Sequence, residues 1–496
     1  MGLRTGAEYL AAQQDGREIW LNGERIEDPT TAPRFAGMAR TLAQYYDFQH
    51  DPAVHDLVTY ETPDGDRAHL SFIEPRSKED LRRRAGAFAA WADVTGGMQG
   101  RSPDYMNAAI MAVAAAKDHW GQNDPALGER AYDLYLRCRR EDLLLTHTFI
   151  PPMVDRFKTL SEQDPYINAG VVEENDGGIV VRGARIVGTL APFCDENLSF
   201  LSPNVEGDGD EIYALGMVTP VNAPGMKWVC RDNYDYERSH FDAPLSGRLE
   251  EMDTVAIFDD VDVSWERVFD YKDVKIHNRS APAMRFFQAL GHHVLVKNVS
   301  KTRLLLGIAH LMAETSQISK FVNVQERLGD IVTCLNTMEA LAIAAVEGAE
   351  EDPRTGLYYA NEAAVQSSLR LYPEFYVRIV GHIKQLGGGG FMASPDEKTI
   401  EALGKGMERY FAGAETDAHD RVALMRLAWD VVGSGWGGRQ ELYERFFFGD
   451  TQRMKAMLYQ TYSMDEAVET VRRILEPPAP GKPFALPHER PPSTAK

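Results

Sequence analysis

Two stretches in the first third of the chain carry side chains suited to handling a phenolic or carboxylic oxygen. The first is Arg101-Ser102-Pro103-Asp104-Tyr105. It reads as a helix start, with Ser102 as N-cap, Pro103 as the first helical residue and Asp104 as a first-turn acid. Unpaired backbone N–H groups and the helix dipole favour negative charge there, and the Arg101 guanidinium strengthens the preference for an oxyanion or a phenolate. Tyr105, on the first turn, reaches the same point. The competing reading is an ordinary capped helix with an exposed arginine. The second stretch is LTHTFIPPMVDR, with His147 at its centre. Histidine is the side chain best placed to exchange protons near neutral pH, although a lone histidine also serves as a satisfied structural residue. Pro151-Pro152 forces an extended path after it, leaving backbone groups open to a ligand, with Asp155 and Arg156 as the polar side chains.

A third candidate needs its context. Gly433-Ser434-Gly435-Trp436-Gly437-Gly438 satisfies the dinucleotide pattern G-x-G-x-x-G, but a helical segment rather than a strand precedes it and no βαβ unit surrounds it. It reads either as a helix C-cap or as a loop where a ligand approaches the backbone. Gly387 to Gly390, before Phe391, poses the same choice in another interhelical connection.

The elements that must position these residues follow from periodicity. A short helix (8–14) precedes EIWLNGERIED, where Asn22-Gly23 between apolar-alternating arms signals a hairpin. From about Thr41 to Cys138 the pattern is helical. Residues 1–140 are therefore expected to form a helical domain with a small β-hairpin. From 141 to 275 short β-rich runs are separated by Asn, Pro and Gly, without intervening helices, which predicts an antiparallel sandwich or barrel. From 276 to 475 four long amphipathic segments predict a four-helix bundle. The proline-rich 476–496 is expected to be extended or disordered. The fold class is α+β and mostly α.

Composition excludes several functions. The chain has 496 residues, with 53 Lys and Arg against 74 Asp and Glu, a net charge of −21. That field repels phosphate backbones and anionic membranes, so nucleic acid and membrane partners are not expected. An anionic small substrate must then be held by a local positive cluster. No apolar run reaches the ~18 residues of a membrane span and the N-terminus lacks a signal-peptide core, which reads as a cytoplasmic protein. Cys138, Cys194, Cys230 and Cys334 are scattered with no CxxC pair, so neither a local metal motif nor disulfides are expected.

Taken together, RTGAEYLAA, RSPDYMNA, LTHTFIPPMVDR, GARIVGTLAP, PLSGRLEEMD, FDDVDVSWERVF and LAWDVVGSGWGGRQELYERFFFGD resemble the oxygenase component of the 4-hydroxyphenylacetate 3-monooxygenase family, in order and over nearly the whole chain. The resemblance implies an acyl-CoA dehydrogenase-like fold: helical domain, β domain, C-terminal four-helix bundle. It implies an FADH2-dependent ortho-hydroxylation of a para-substituted phenol, 4-hydroxyphenylacetate to 3,4-dihydroxyphenylacetate, through a C4a-hydroperoxyflavin formed with molecular oxygen. A separate NAD(P)H:flavin reductase would supply FADH2, since no nicotinamide site is visible, and the assembly would be a homotetramer, a dimer of dimers. By the same resemblance Arg101, Tyr105 and His147 line the substrate and catalytic site. Met153, Val154, Asp155, Arg156, Thr189, Ser434, Gly435, Trp436 and Gly437 would contact the flavin, and Ser202 the substrate's carboxylate. Alternatives are another phenol (4-coumarate, a tyrosine-derived or a halogenated phenol) or an acyl-CoA dehydrogenase or dehydratase type of flavoenzyme.

Overall fold

The helix that opens at Pro103 is apolar apart from Asp104 and Asn107 near its start, and every residue from Pro103 to Ala114 is buried, as so apolar a composition requires. Its surroundings decide where Arg101 and Tyr105 sit. In the computed structural model, which describes residues 2–152, 154–155, 157–201, 205–206 and 209–475, this helix (Pro103–Ala115) packs against the strand Leu145–Thr148, the helix Pro125–Glu141 and the long helix Phe286–Thr315. The RSPDY start and His147 therefore belong to directly touching elements.

Two sheets lie in the middle of the chain. A six-stranded sheet runs in the order Glu24–Ile26, Glu18–Leu21, Met226–Cys230, Thr254–Ser264, Gly178–Arg185, Gly170–Asn175. A four-stranded sheet runs Val268–Tyr271, Leu215–Pro220, Glu196–Ser199, Leu145–Thr148. Pairing is antiparallel except at two places. Glu18–Leu21 lies parallel to Met226–Cys230, and Leu145–Thr148 lies parallel to Glu196–Ser199, with His147 opposite Leu198. The Asn22-Gly23 hairpin forms as expected, both residues taking positive φ (53° and 81°), the conformation its two-residue turn needs. It is no appendage of the helical region, because its first strand extends the large sheet. The main core joins that sheet to the N-terminal helices through Tyr9, Phe35, Trp91, Phe193, Trp228 and Phe258.

All four expected bundle helices are present: Phe286–Thr315, Val322–Glu347, Glu362–Ala393 and Ala418–Val432. The first packs against each of the other three. The second meets the length and composition of a membrane span, with a mean hydropathy of 1.4 and a third of that stretch buried, whereas no such run was expected. The Gly387 to Gly390 run marks a break between helices, as expected: within Glu362–Ala393 two helices meet across a kink at Gly388 (φ 45°, ψ −130°), a backbone state open to glycine. The first helix spans Gly6–Ala12 rather than 8–14, held by a Thr5–Glu8 capping box.

The chain divides into two compact units, Met1–Glu444 and Arg445–Lys496. Within the second, two helices not foreseen from sequence are described, Thr451–Thr461 and Asp465–Leu475, the first capped by Asp450, which accepts the Arg453 N–H at 2.9 Å. The proline-rich tail expected to be extended lies outside the described residues.

Candidate active site

Ser102 occupies the N-cap position but makes no side-chain cap. Its hydroxyl lies instead 3.3 Å from His293 Nε2, which is also 3.1 Å from the Asp104 carboxylate. All three groups are buried. Burial opposes the charge on Asp104, but His293, the Ser102 hydroxyl and the more distant His69 together hold its pKa below the usual range. The helix start is thus fastened to the helix Phe286–Thr315 by a polar triad, which displaces the expected cap.

Arg101 is buried, not an exposed arginine. Its guanidinium lies 4.6 Å over the Tyr105 ring, and its Nη1 donates to the Tyr443 hydroxyl at 3.0 Å. The Tyr105 ring has His293 on one side, edge-on at 5.5 Å, and His147 on another, at 6.2 Å. Burial pushes the Tyr105 phenol up to about 12, against the pull of Arg101, so it is a protonated donor at neutral pH. His147 stacks on Phe149 at 4.0 Å with 11° between the rings. Phe149 in turn meets Phe200 and Phe286 edge-on. Burial, and then the charge of Arg101, hold His147 well below the usual histidine range. It is therefore neutral. Both its ring nitrogens are buried with no hydrogen-bond partner among the described residues, and a buried polar atom left so marks a place for a ligand or water.

A buried charge network ties these groups to two further motifs. Glu251 accepts the Arg101 backbone N–H at 2.6 Å and Arg439 Nη1 at 2.5 Å. Arg439 grips Asp253 with two bonds of 2.9 and 2.7 Å, and Asp253 also accepts from Arg231 at 2.9 Å and from Thr189 Oγ1 at 2.8 Å. Arg231 reaches Glu250 at 2.5 Å. Burial works against the Asp253 charge, yet its two arginines keep it far below the usual carboxylate range. The Thr189 carbonyl accepts from Thr146, the neighbour of His147, at 2.7 Å. Arg101, His147, Thr189 and the helix following the late glycine-rich stretch are brought together this way.

That stretch is neither a simple C-cap nor an open loop. Gly433 ends the helix Ala418–Val432, and Ser434 caps the next helix, Gly435–Phe446, accepting the Gly437 N–H at 2.9 Å on its hydroxyl. Trp436 is buried and donates to the Leu249 carbonyl at 3.0 Å, while Gly433, Gly435 and Gly438 are exposed. A side chain at Gly437 would place its Cβ 2.3 Å from the Val431 carbonyl. The segment after His147 is not brought onto this cluster by any described contact. Val154 is exposed, and Asp155 accepts the Phe157 N–H at 3.0 Å within its own turn. Met153, Arg156 and Ser202 lie outside the described residues. Sequence reasoning missed Glu251, Asp253, Arg439, Tyr443 and His293 as site components. The one signal for the first four was the density of charge in RLEEMD and GGRQELYERF.

The family model of the 4-hydroxyphenylacetate 3-hydroxylase N terminal matches residues 5–269, and that of its C terminal matches residues 278–476. The chain is 43% identical over 476 residues to the 4-hydroxyphenylacetate 3-monooxygenase oxygenase component of Thermus thermophilus, covering 95% of this chain and 97% of that one. It is similar, with a TM-score of 0.91, 43% identity and coverage of 95% and 98%, to a crystal structure of such an oxygenase component complexed with FAD and 4-hydroxyphenylacetate. A 4-hydroxybutyryl-CoA dehydratase from N. maritimus shares the fold alone, with a TM-score of 0.85, 18% identity and 95% coverage of each chain.

Proposed function

The chain belongs to the 4-hydroxyphenylacetate 3-hydroxylase family, and from that premise we propose that it hydroxylates 4-hydroxyphenylacetate ortho to its hydroxyl, giving 3,4-dihydroxyphenylacetate. It is the oxygenase component of a two-component, flavin-dependent monooxygenase, served by a separate reductase. The observation that carries the substrate assignment is the meeting of Arg101, protonated Tyr105 and neutral His147 beside one apolar, aromatic wall. A phenol ionises only near pH ~10, so a site that stabilises its developing negative charge accelerates attack by the ring carbon. Arg101 supplies the positive charge, Tyr105 donates a hydrogen bond, and neutral His147 accepts a hydrogen bond from the phenolic hydroxyl.

Reduced FAD, when bound, is what activates molecular oxygen and supplies the oxygen atom. The residues suit it. His147 offers two unpartnered ring nitrogens next to a flat aromatic surround, and exposed glycines flank Ser434 at the start of a helix. Val154, Asp155, Thr189 and Ser434 to Gly437 would hold the cofactor. Met153, Arg156 and, for the carboxylate, Ser202 complete the reading from the family resemblance. Thr189 already donates its hydroxyl to Asp253, so toward a flavin it would act as an acceptor. Water exclusion falls to Phe149, Phe200 and Phe286, because stray protons release hydrogen peroxide unproductively.

We read the assembly as a homotetramer, a dimer of dimers. The support is the apolar helix Val322–Glu347, which leaves Val332 and Ile343 exposed. Four free cysteines suit a reducing, cytoplasmic setting. The deciding experiment supplies FADH2 with a generic NADH:flavin reductase and measures catechol formed per oxygen consumed. Stoichiometric 3,4-dihydroxyphenylacetate is expected. Failure to make it while another phenol is hydroxylated overturns the substrate, and NADH oxidation without any reductase overturns the two-component arrangement.

A further inference from the structure

Four cations converge on the ring of Tyr443. Arg439 lies 5.1 Å from its centroid, Lys297 5.2 Å, Arg101 5.4 Å and Lys301 5.7 Å. The Tyr443 hydroxyl accepts from Arg101 and donates to the Gly100 carbonyl, both at 3.0 Å. The fit is close. A Cβ at residue 100 would come 2.3 Å from the Tyr443 ring. Behind the ring, Lys297 and Lys301, one turn apart on Phe286–Thr315, share a single oxygen of Glu444, at 3.2 and 2.5 Å. All three are buried.

Burying an ammonium group is expensive unless an anion answers it. Here Arg101, Arg231, Arg439, Lys297 and Lys301 face Glu250, Glu251, Asp253 and Glu444. These are five basic groups against four carboxylates, inside a chain of net charge −21. Burial, with Lys301 adding to it and Glu444 opposing, presses Lys297 down to about 7. An anion seated near Arg101 would relieve that crowding.

We propose that Tyr443 is a positioning residue that holds Arg101 in place, and that Lys297, Lys301 and Glu444 behind it set the local charge so that a phenol seated at Arg101 favours its ionised form. This rests on the phenol-hydroxylase reading above. A unit charge about 10 Å away, at an effective dielectric of about 20, moves a pKa by about one unit. The charge set behind Tyr443 is thus close enough to matter.

The test titrates 4-nitrophenol bound to the purified protein, following the yellow phenolate by absorbance, with no turnover. Wild type should ionise the bound probe at lower pH than in free solution. Lys297→Met and Lys301→Met should each raise that midpoint by about one unit, and Glu444→Gln should lower it. Opposite signs are the signature, since a folding defect would move all three alike. The double variant Lys297→Met with Glu444→Gln should return close to wild type. Tyr443→Phe, with its melting temperature retained, should bind the probe about tenfold more weakly through misplacement of Arg101. Midpoints that stay put, or that move in one direction in all three single variants, overturn the charge assignment, and wild-type affinity in Tyr443→Phe overturns the positioning role. Arg101→Ala separates the two levels. If it abolishes the wild-type shift while Lys297, Lys301 and Glu444 variants do nothing, this inference alone fails. If it too leaves the probe's ionisation untouched, the phenol is not seated at Arg101 and the functional reading fails with it.

Discussion

Arg101 and His147 are expected to fail differently when changed, because one holds charge and the other handles a proton. Arg101→Ala removes a buried charge-assisted donor from the place where the phenolate forms. The expected loss in kcat/KM is about 3 kcal/mol, roughly 150-fold, with reduced flavin still bound. His147→Ala should instead lower catechol formed per oxygen and raise peroxide release at saturating phenol, and product analysis in single turnovers checks both. His147 also carries a stability signature. Its native pKa is depressed, so below the ordinary histidine value of ~6.5 the unfolded chain binds a proton that the native chain does not, and stability falls as pH falls. His69 and His292, pressed by burial to about 4 and about 3, act in the same sense. Urea unfolding of His147→Phe at pH 5.5 and at pH 8 should therefore show a smaller acid penalty than wild type, by about 1 kcal/mol at one unit below the free histidine value. An unchanged penalty means that His147 is protonated in the native state.

At the scale of elements, the site depends on a joint between segments far apart in sequence. Asp253 accepts from Arg231, Arg439 and Thr189, while Arg231 also holds Glu250 and Arg439 also holds Glu251. Asp253→Asn should cost about 1–3 kcal/mol, since it removes a charge-assisted acceptor from both guanidinium groups but leaves each of them one carboxylate. It should also weaken reduced-flavin binding if Thr189 and Ser434 to Gly437 contact the cofactor. Calorimetry of the free protein and anaerobic flavin titration separate the two effects. A second joint has its own logic. Asp430 accepts the Leu245 and Ser246 N–H groups at 2.9 and 2.8 Å, holding a loop end against the helix that leads into Gly433 and Ser434. Periodicity made the helix before Gly433 legible, but the helix Gly435–Phe446 was not expected from the sequence, and nothing local announced that Ser434 would cap it.

For the whole molecule the exposed apolar face is the feature with consequences. Ile343 on the helix Val322–Glu347 is 66% exposed, in a helix apolar enough to meet a membrane-span test. Ile343→Asp should leave the bundle folded and shift a tetramer toward dimers or monomers at micromolar concentration, as read by light scattering, because a charge is expensive in an apolar interface. A 55.5 kDa monomer in wild type would sink the assembly proposal.

The sequence by itself determined the order of elements. Period-3.6 stripes marked the four bundle helices, Asn22-Gly23 marked its hairpin, and proline at position 103 marked a helix start, since each of these signals acts within a few residues. It also brought forward Arg101, Tyr105 and His147, whose chemistry is written in their residue types. What only the tertiary structure decided is non-local. The hairpin's place in the large sheet, the diversion of Ser102 from its cap to His293, the kink at Gly388, and the gathering of Glu251, Asp253, Arg439 and Tyr443 behind Arg101 all depend on groups more than a hundred residues apart or on packing that no local pattern encodes. Burial made the largest difference. It turns His147 neutral, keeps Tyr105 protonated and sets two lysines on one glutamate, because the energy of a charge depends on how far it lies from water, and only the fold determines that distance.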